Sequence, residues 1–250
     1  MGCLLSIVTW KIEREKIFCK LDKIISRIFK FKILIELIYA LIVVFIFFIC
    51  KRLGYNEYMN FLTGFLVIDL SNKEMHNLNL YLNDKIKFYE SLSLLTEGIL
   101  CGFLAPLFYI TIFKSNFFGM AYFVIYMLYK VKDYKEIDIV FNVLNIIPSI
   151  ILQPIFYIIY VFRSKTFKVD FKGDFLKNTL KRPLLNLDIL GAYMEEVNFY
   201  YYFQESNTSF IKSYGNYTSR IDQNCIKDYL SIIYGIAFAT FIVFEMLIIL

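Results

Sequence analysis

The chain has 250 residues, of which 58% are hydrophobic, 19% aromatic and 20% charged, with a formal net charge of +5. An apolar share this large, gathered into runs of about 20 residues, excludes an ordinary water-soluble domain and points to a polytopic membrane protein. Five cysteines without C-x-x-C spacing and a single histidine, His76, exclude a zinc cluster and a disulfide framework.

Residues 1–30 lack the short basic segment and apolar core of a secretory signal. Ile17, Leu21, Ile24 and Ile28 recur at helical spacing, with Lys16, Lys20, Lys23, Arg27 and Lys30 over much of the remaining surface. That predicts a basic amphipathic helix, lying on an anionic membrane surface or packing on the protein's own helices. M-G-C-L-L-S at the start and the sequons at Asn207 and Asn216 fit short modification patterns that recur by chance, and carry no weight.

Residues 31–162 read as membrane helices, with a polar segment at 53–91. The first span is 31–50, stopped by Lys51-Arg52. The apolar run 61–70 is too short to cross, and 71–90 reads as a polar helix with Leu78, Leu82 and Ile86 on one face. The second span, 92–113, holds one charge, Glu97, and is broken up by Gly98, Gly102 and Pro106. A carboxylate inside a span costs ~2.5–3.5 kcal/mol on insertion scales, so Glu97 faces protein or a wet cavity. Pro106 frees a carbonyl that lipid cannot satisfy. The next segment, 117–129, is a short tilted span or a re-entrant element. The long run 137–162 carries Asn142, Asn145, Pro148, Gln153 and Pro154, the composition of a kinked helix facing other helices.

Residues 163–228 form the large polar region, with seven basic residues between Arg163 and Arg182, and 229–250 is a C-terminal span. The positive-inside rule places the N-terminal helix and this basic segment in the cytoplasm, which needs an even number of crossings between them. The expectation is an all-α, multi-pass protein of the cell (inner) membrane with about five apolar helices and one cytoplasmic polar loop region. Its partner is the lipid bilayer, with no nucleic acid.

Phosphate-loop, dinucleotide-binding, nucleophile-elbow and H-E-x-x-H signatures are absent from the sequence. Within the polar region Glu195-Glu196 precede an aromatic run, 199–203. Two carboxylates beside such a run suit a metal-bound phosphate next to a flat ligand, or else an interfacial aromatic belt.

At residues 97–109 the sequence E-G-I-L-C-G-F-L-A-P-L-F-Y resembles the E-N-x-x-D-G-x-x-A-P-L-F-Y segment of the membrane-bound adenosylcobinamide-phosphate synthase family of cobalamin (vitamin B12) biosynthesis. Leu144-Asn145-Ile146-Ile147-Pro148 is similar to that family's L-N-W-I-P. Arg182-Pro183-Leu184-Leu185-Asn186, Gly191-Ala192, the tyrosine run ending in Phe203, and Tyr214-Gly215-Asn216 follow its later motifs in order. The departures are Gly98 for the family's Asn, Cys101 and Asn216 for its Asp residues, and a shortened polar stretch at 130–136.

The resemblance implies an ATP-dependent ligase that forms an amide between aminopropanol, or its phosphate, and adenosylcobyric acid. ATP and Mg2+ are the implied cofactors. It makes Glu97 and Asn145 the catalytic candidates. Arg182, Asn186, Tyr201 and Tyr202 become candidates for substrate and phosphate binding, and Glu97 and Glu196 for metal binding. The changes at Gly98 and Cys101 equally fit a non-catalytic relative that binds a corrinoid or a pathway partner.

Overall fold

Four helices are long and apolar enough to cross a membrane, by length and composition: Leu34–Arg52, Ser91–Phe113, Glu136–Ser164 and Cys225–Leu247. The computed structural model describes residues 6, 14–29, 31–53, 57–70, 85–131, 135–205, 208–215 and 223–249. His76, both sequon asparagines and the residues 78 and 82 of the expected polar helix lie outside them. The described chain is mostly helical and divides into two compact units, one of residues 1–72, 101–141 and 241–250 and the other of 73–100 and 142–240.

The first unit is built on α1 (Arg14–Ile28), α2 (Lys32–Leu53) and α3 (Glu57–Val67). The basic N-terminal helix packs on the protein's own helices, but by a different stripe from the expected one. Phe18, Leu21 and Ile25 join a core around Ile35, Tyr39, Val124 and Leu128, while Ile17, Ile24 and Ile28 are 56–67% exposed. A hydrogen bond of 2.7 Å from the Tyr39 hydroxyl to buried Asp22 fixes α1 against α2.

Helix α3 is too short to cross, and its C-terminal end is buried. A helix end without water needs donors for its last carbonyls. Arg14 supplies them, with Nη2 to the Phe65 carbonyl at 2.7 Å and Nη1 to the Ile68 carbonyl at 2.6 Å. The same guanidinium meets the Asp69 carboxylate at 2.9 Å and the Ser6 hydroxyl at 2.8 Å, and both Arg14 and Asp69 are buried.

The stretch expected to depart from a plain helix does so. Helix α4 (Lys85–Ile99) runs into a π-turn, Leu100–Leu104, before α5 (Ala105–Phe113) starts with Pro106 in its first turn, where a missing N–H costs least. The carbonyl four residues before Pro106 is that of Gly102. It accepts a hydrogen bond of 2.8 Å from the Asp69 backbone N–H. Gly102 lets α3's end come this close, since a Cβ there would lie 3.2 Å from the Asp69 carbonyl carbon.

Residues 117–129 lie within α6 (Asn116–Val131), whose 16 residues reach ~24 Å at ~1.5 Å each. It runs antiparallel to α5, with Phe113 stacked on Phe118 at 4.1 Å and Tyr109 on Tyr122 at 5.6 Å.

The second unit contains α4, most of α7 (Lys135–Ser164), α8 (Phe175–Lys181), α9 (Pro183–Met194) and the first part of α10 (Gln223–Ile249). Helix α7 continues through Pro148 and Pro154. Asn145, Ser149, Gln153, Phe156 and Tyr160 form its buried face, whereas Val143, Ile147, Ile150, Ile151 and Ile158 are exposed. Asn145 and Gln153 thus face protein, as expected, while Asn142 is half-buried.

The region expected to be loop and helix holds an antiparallel hairpin, β1 (Asn198–Glu205) and β2 (Thr208–Gly215), so the all-α expectation is amended. Aromatic residues favour strands, and alternation sends Phe199, Tyr201 and Phe203 inward while Tyr200 and Tyr202 point out. Gly215 ends β2 at φ +93, where a Cβ would collide with the Val197 carbonyl.

Candidate functional site

Ser93, Thr96 and Glu97 stand at i, i+3 and i+4 on α4, so they share one face of the helix. In the second unit this face meets α9 and α10. The Ser93 hydroxyl donates to Asp188 Oδ2 at 3.0 Å, and the Thr96 and Tyr229 hydroxyls pair at 2.7 Å. Glu97 is 8% exposed and Asp188 5% exposed.

Asp188 Oδ1 is buried and has no hydrogen-bond partner among the described residues. Burial pushes the Asp188 carboxyl up to about 7. Hydrogen bonding to Ser93 and Thr96 pulls it down, and the Glu97 carboxylate raises it further. Two carboxylates in such surroundings resist joint ionisation unless a cation joins them. The arrangement suits a bound ammonium group or a proton held at Asp188.

Gly191, one helical turn beyond Asp188, lets Tyr229 reach Thr96. A Cβ at residue 191 would lie 2.5 Å from the Tyr229 hydroxyl oxygen and 3.0 Å from Cζ. Gly191→Ala is therefore expected to destabilise the protein by ~1–3 kcal/mol, the usual cost of overpacking. Thermal unfolding in detergent measures this, and Tyr229→Phe in the same background should recover part of the loss.

A second group surrounds Arg182, which sits between α8 and α9. Its guanidinium lies 4.8 Å over the Phe203 ring, and Lys212 approaches the same ring at 5.5 Å while pairing with Asp174. Burial raises the Tyr201 hydroxyl's pKa, Arg182 lowers it and Asp188 raises it again. The inner face of the hairpin therefore carries aromatic rings beside two cations, and Tyr201 links it electrostatically to Asp188.

Among the sequence candidates, Glu97, Arg182 and Tyr201 come into this neighbourhood. Asn145 is fully buried on the α7 face that carries Phe156, whose ring meets Tyr229 edge-on at 6.4 Å. Gln153, on that face, has a buried amide nitrogen without a partner among the described residues. Asn186 is also fully buried, but its amide donates to the Phe175 carbonyl at 3.0 Å and to Thr179 Oγ1 at 2.8 Å. It braces α8 against α9.

Tyr202 is 60% exposed on the outer face of the hairpin. Glu196 is exposed in the left-handed region at φ +53, and closes α9 through bonds from its own N–H to the Tyr193 carbonyl and from the Val197 N–H to the Ala192 carbonyl. That is the hydrogen-bond pattern of a Schellman cap. Its neighbour Glu195 is buried and paired with Arg163 at 3.2 Å. Burial pushes the Glu195 carboxyl up to about 7, Arg163 opposes this, and Asp228 and Glu196 add to it.

Asp188, Ser93, Thr96 and Tyr229 are the members that sequence reasoning missed. Asp188 had a visible signal: it is the lone charge in the apolar segment L-L-N-L-D-I-L-G-A. Among the described residues, no group of three or more His, Cys, Asp or Glu is arranged to hold a metal ion. No family model, curated protein or solved structure matches the chain.

Proposed function

We propose that this protein is an ATP-dependent amide ligase of cobalamin biosynthesis, joining the amine of aminopropanol or its phosphate to a side-chain carboxylate of adenosylcobyric acid. The observation that carries the reading is the second buried carboxylate, Asp188, close enough to Glu97 for its charge to be felt. Cys101 stands where the resembled family has Asp, and Asp188 gives Glu97 a second carboxylate within the second unit.

ATP, when bound, supplies the phosphoryl group that activates the acid as an acyl phosphate. For its phosphates the donor set fits: Arg182 and Lys212 lie together over Phe203. Magnesium fits only in company with those phosphates, because Glu97 and Asp188 offer too few ligands alone. Glu97 and Asp188 hold the ammonium group of the incoming amine and accept its proton. The surrounding Leu92, Leu95 and Tyr229, each 2% exposed or less, keep water from the activated acid. Positioning and exclusion of water supply the rate enhancement.

The test is a coupling assay on detergent-purified protein with adenosylcobyric acid, aminopropanol phosphate, ATP and magnesium, with product followed by mass. Product is expected from the native chain and at most about 1% of it from Glu97→Gln, the scale of losing a general acid or base. The second reading, a non-catalytic corrinoid-binding relative, draws on Cys101 and Gly98. Corrinoid binding without product, in both the native chain and Cys101→Asp, would establish it in place of the ligase.

A further inference from the structure

The first unit contains a cavity of ≈ 380 Å³ that is remote in character from the acidic cluster. Phe47 and Lys51 at the end of α2, Met59 at the start of α3, and Ser115, Asn116 and Phe117 at the α5–α6 turn line it. Its volume lies within the ~300–1,000 Å³ of small-molecule clefts. The apolar part is well built: Met59 is buried, and Phe47 meets Phe117 edge-on at 5.1 Å. The polar part contains the Lys51 cation, the Cys50 thiol, the Ser115 hydroxyl and the Asn116 amide, whose nitrogen also donates to Asn60 Oδ1, and its lining includes no Asp or Glu.

The surroundings share that sign. Arg52 follows Lys51, Lys114 precedes Ser115, and all three basic side chains are exposed. The N-terminal end of the 16-residue α6 adds partial positive charge. On the outer side α2 presents lipid-facing surface, since only 11% of its apolar window is buried and Phe48 is 61% exposed. A basic end on an exposed apolar span marks the level of the headgroups. The cavity therefore offers apolar walls beside a cationic rim, at the boundary of hydrocarbon and water.

We propose that this cavity binds an anionic phospholipid, with the headgroup phosphate at Lys51 and Asn116 and an acyl chain along Phe47 and Phe117. The inference stands apart from the ligase reading and does not depend on it.

The full chain, purified in a neutral detergent, is incubated with phosphatidylglycerol or phosphatidylcholine, and retained lipid is counted by native mass spectrometry. Phosphatidylglycerol is expected to be retained about five-fold over phosphatidylcholine, the effect of one basic residue on an anionic lipid. Lys51→Glu should remove the preference and Met59→Trp, which fills the cavity, should reduce retention. Lys168→Glu, an exposed charge in the second unit, should leave it intact. Equal retention of the two lipids, or a preference that survives Lys51→Glu, would overturn the proposal. So would displacement of the lipid by glycerol 3-phosphate, which identifies a site for soluble anions. If Met59→Trp does not fold, the Lys51→Glu comparison decides alone.

Discussion

If the proposed ligase activity is present, Asp188→Asn is expected to cut amide coupling by roughly 30-fold to several thousand-fold, the ~2–5 kcal/mol lost when one partner of a buried charge pair is removed. Asparagine keeps an oxygen for the Ser93 hydroxyl but cannot balance an ammonium group. The same change should flatten the dependence of stability on pH. The native state holds the Asp188 proton up to a pH of about 7, whereas an unfolded aspartate releases it near 3.8. Protonation thus favours the native state most at low pH, and that contribution fades as pH rises from about 4 to about 7. Above 7 the native chain carries a buried charge without its cation.

Asparagine does not ionise, so the fall in thermal midpoint between pH 5 and pH 8 should shrink in Asp188→Asn. It should not vanish, because Glu195 is also raised to about 7 and contributes in the same direction. Lower activity together with a flatter profile identifies a carboxylate kept for function at the expense of stability. Unchanged coupling would remove Asp188 from the site, and an unchanged profile would show that its burial is relieved in solution.

The interrupted helix at 97–109 was legible because Gly and Pro act locally, through the backbone they occupy. What satisfies the freed Gly102 carbonyl was not legible, since the Asp69 N–H comes from a distant part of the chain. Glu97 was visible as a lone charge in a span, whereas Ser93 and Thr96 beside it gave no signal, and only tertiary structure brings Asp188 and Tyr229 to that face. The hairpin escaped notice for a different reason. Phe199, Tyr200, Tyr201, Tyr202 and Phe203 are all aromatic, so the period of two that distinguishes inner from outer residues is invisible in the composition. At Glu195-Glu196 the sequence allowed a metal-bound phosphate or an interfacial aromatic belt, and the separate surroundings of the two carboxylates were not legible. One carboxylate is paired with Arg163 and the other residue turns the chain out of α9. The stripe Ile17, Ile24, Ile28 marks the uncovered side of α1, because a helix that is basic over much of its surface has two candidate apolar edges, and Phe18 completes the one that packs.

Arg14→Ala is expected to lower stability by ~3–5 kcal/mol, the range for breaking a buried ion pair by deleting one partner. The loss has two sources. The Asp69 carboxylate, 3% exposed, would lose its counter-ion. The Phe65 carbonyl at the buried end of α3 would lose its donor, and the Ile68 carbonyl would keep only the Ser6 hydroxyl. The double variant Arg14→Met with Asp69→Leu separates them. If Arg14 served only as a counter-ion, replacing both charges with apolar side chains would restore stability or improve it. The Phe65 carbonyl stays without its donor in the double variant, while Ser6 still serves Ile68, and an unsatisfied buried group costs ~1–3 kcal/mol. A residual loss of that size, measured by unfolding in detergent, is the expected result. Arg14→Lys should fall between, since one ammonium group cannot span Phe65, Ile68, Asp69 and Ser6 as a planar guanidinium does. A short helix that ends inside apolar surroundings is viable only with such donors, so Arg14, joined by the Ser6 hydroxyl on the Ile68 carbonyl, allows α3 to stop where it does.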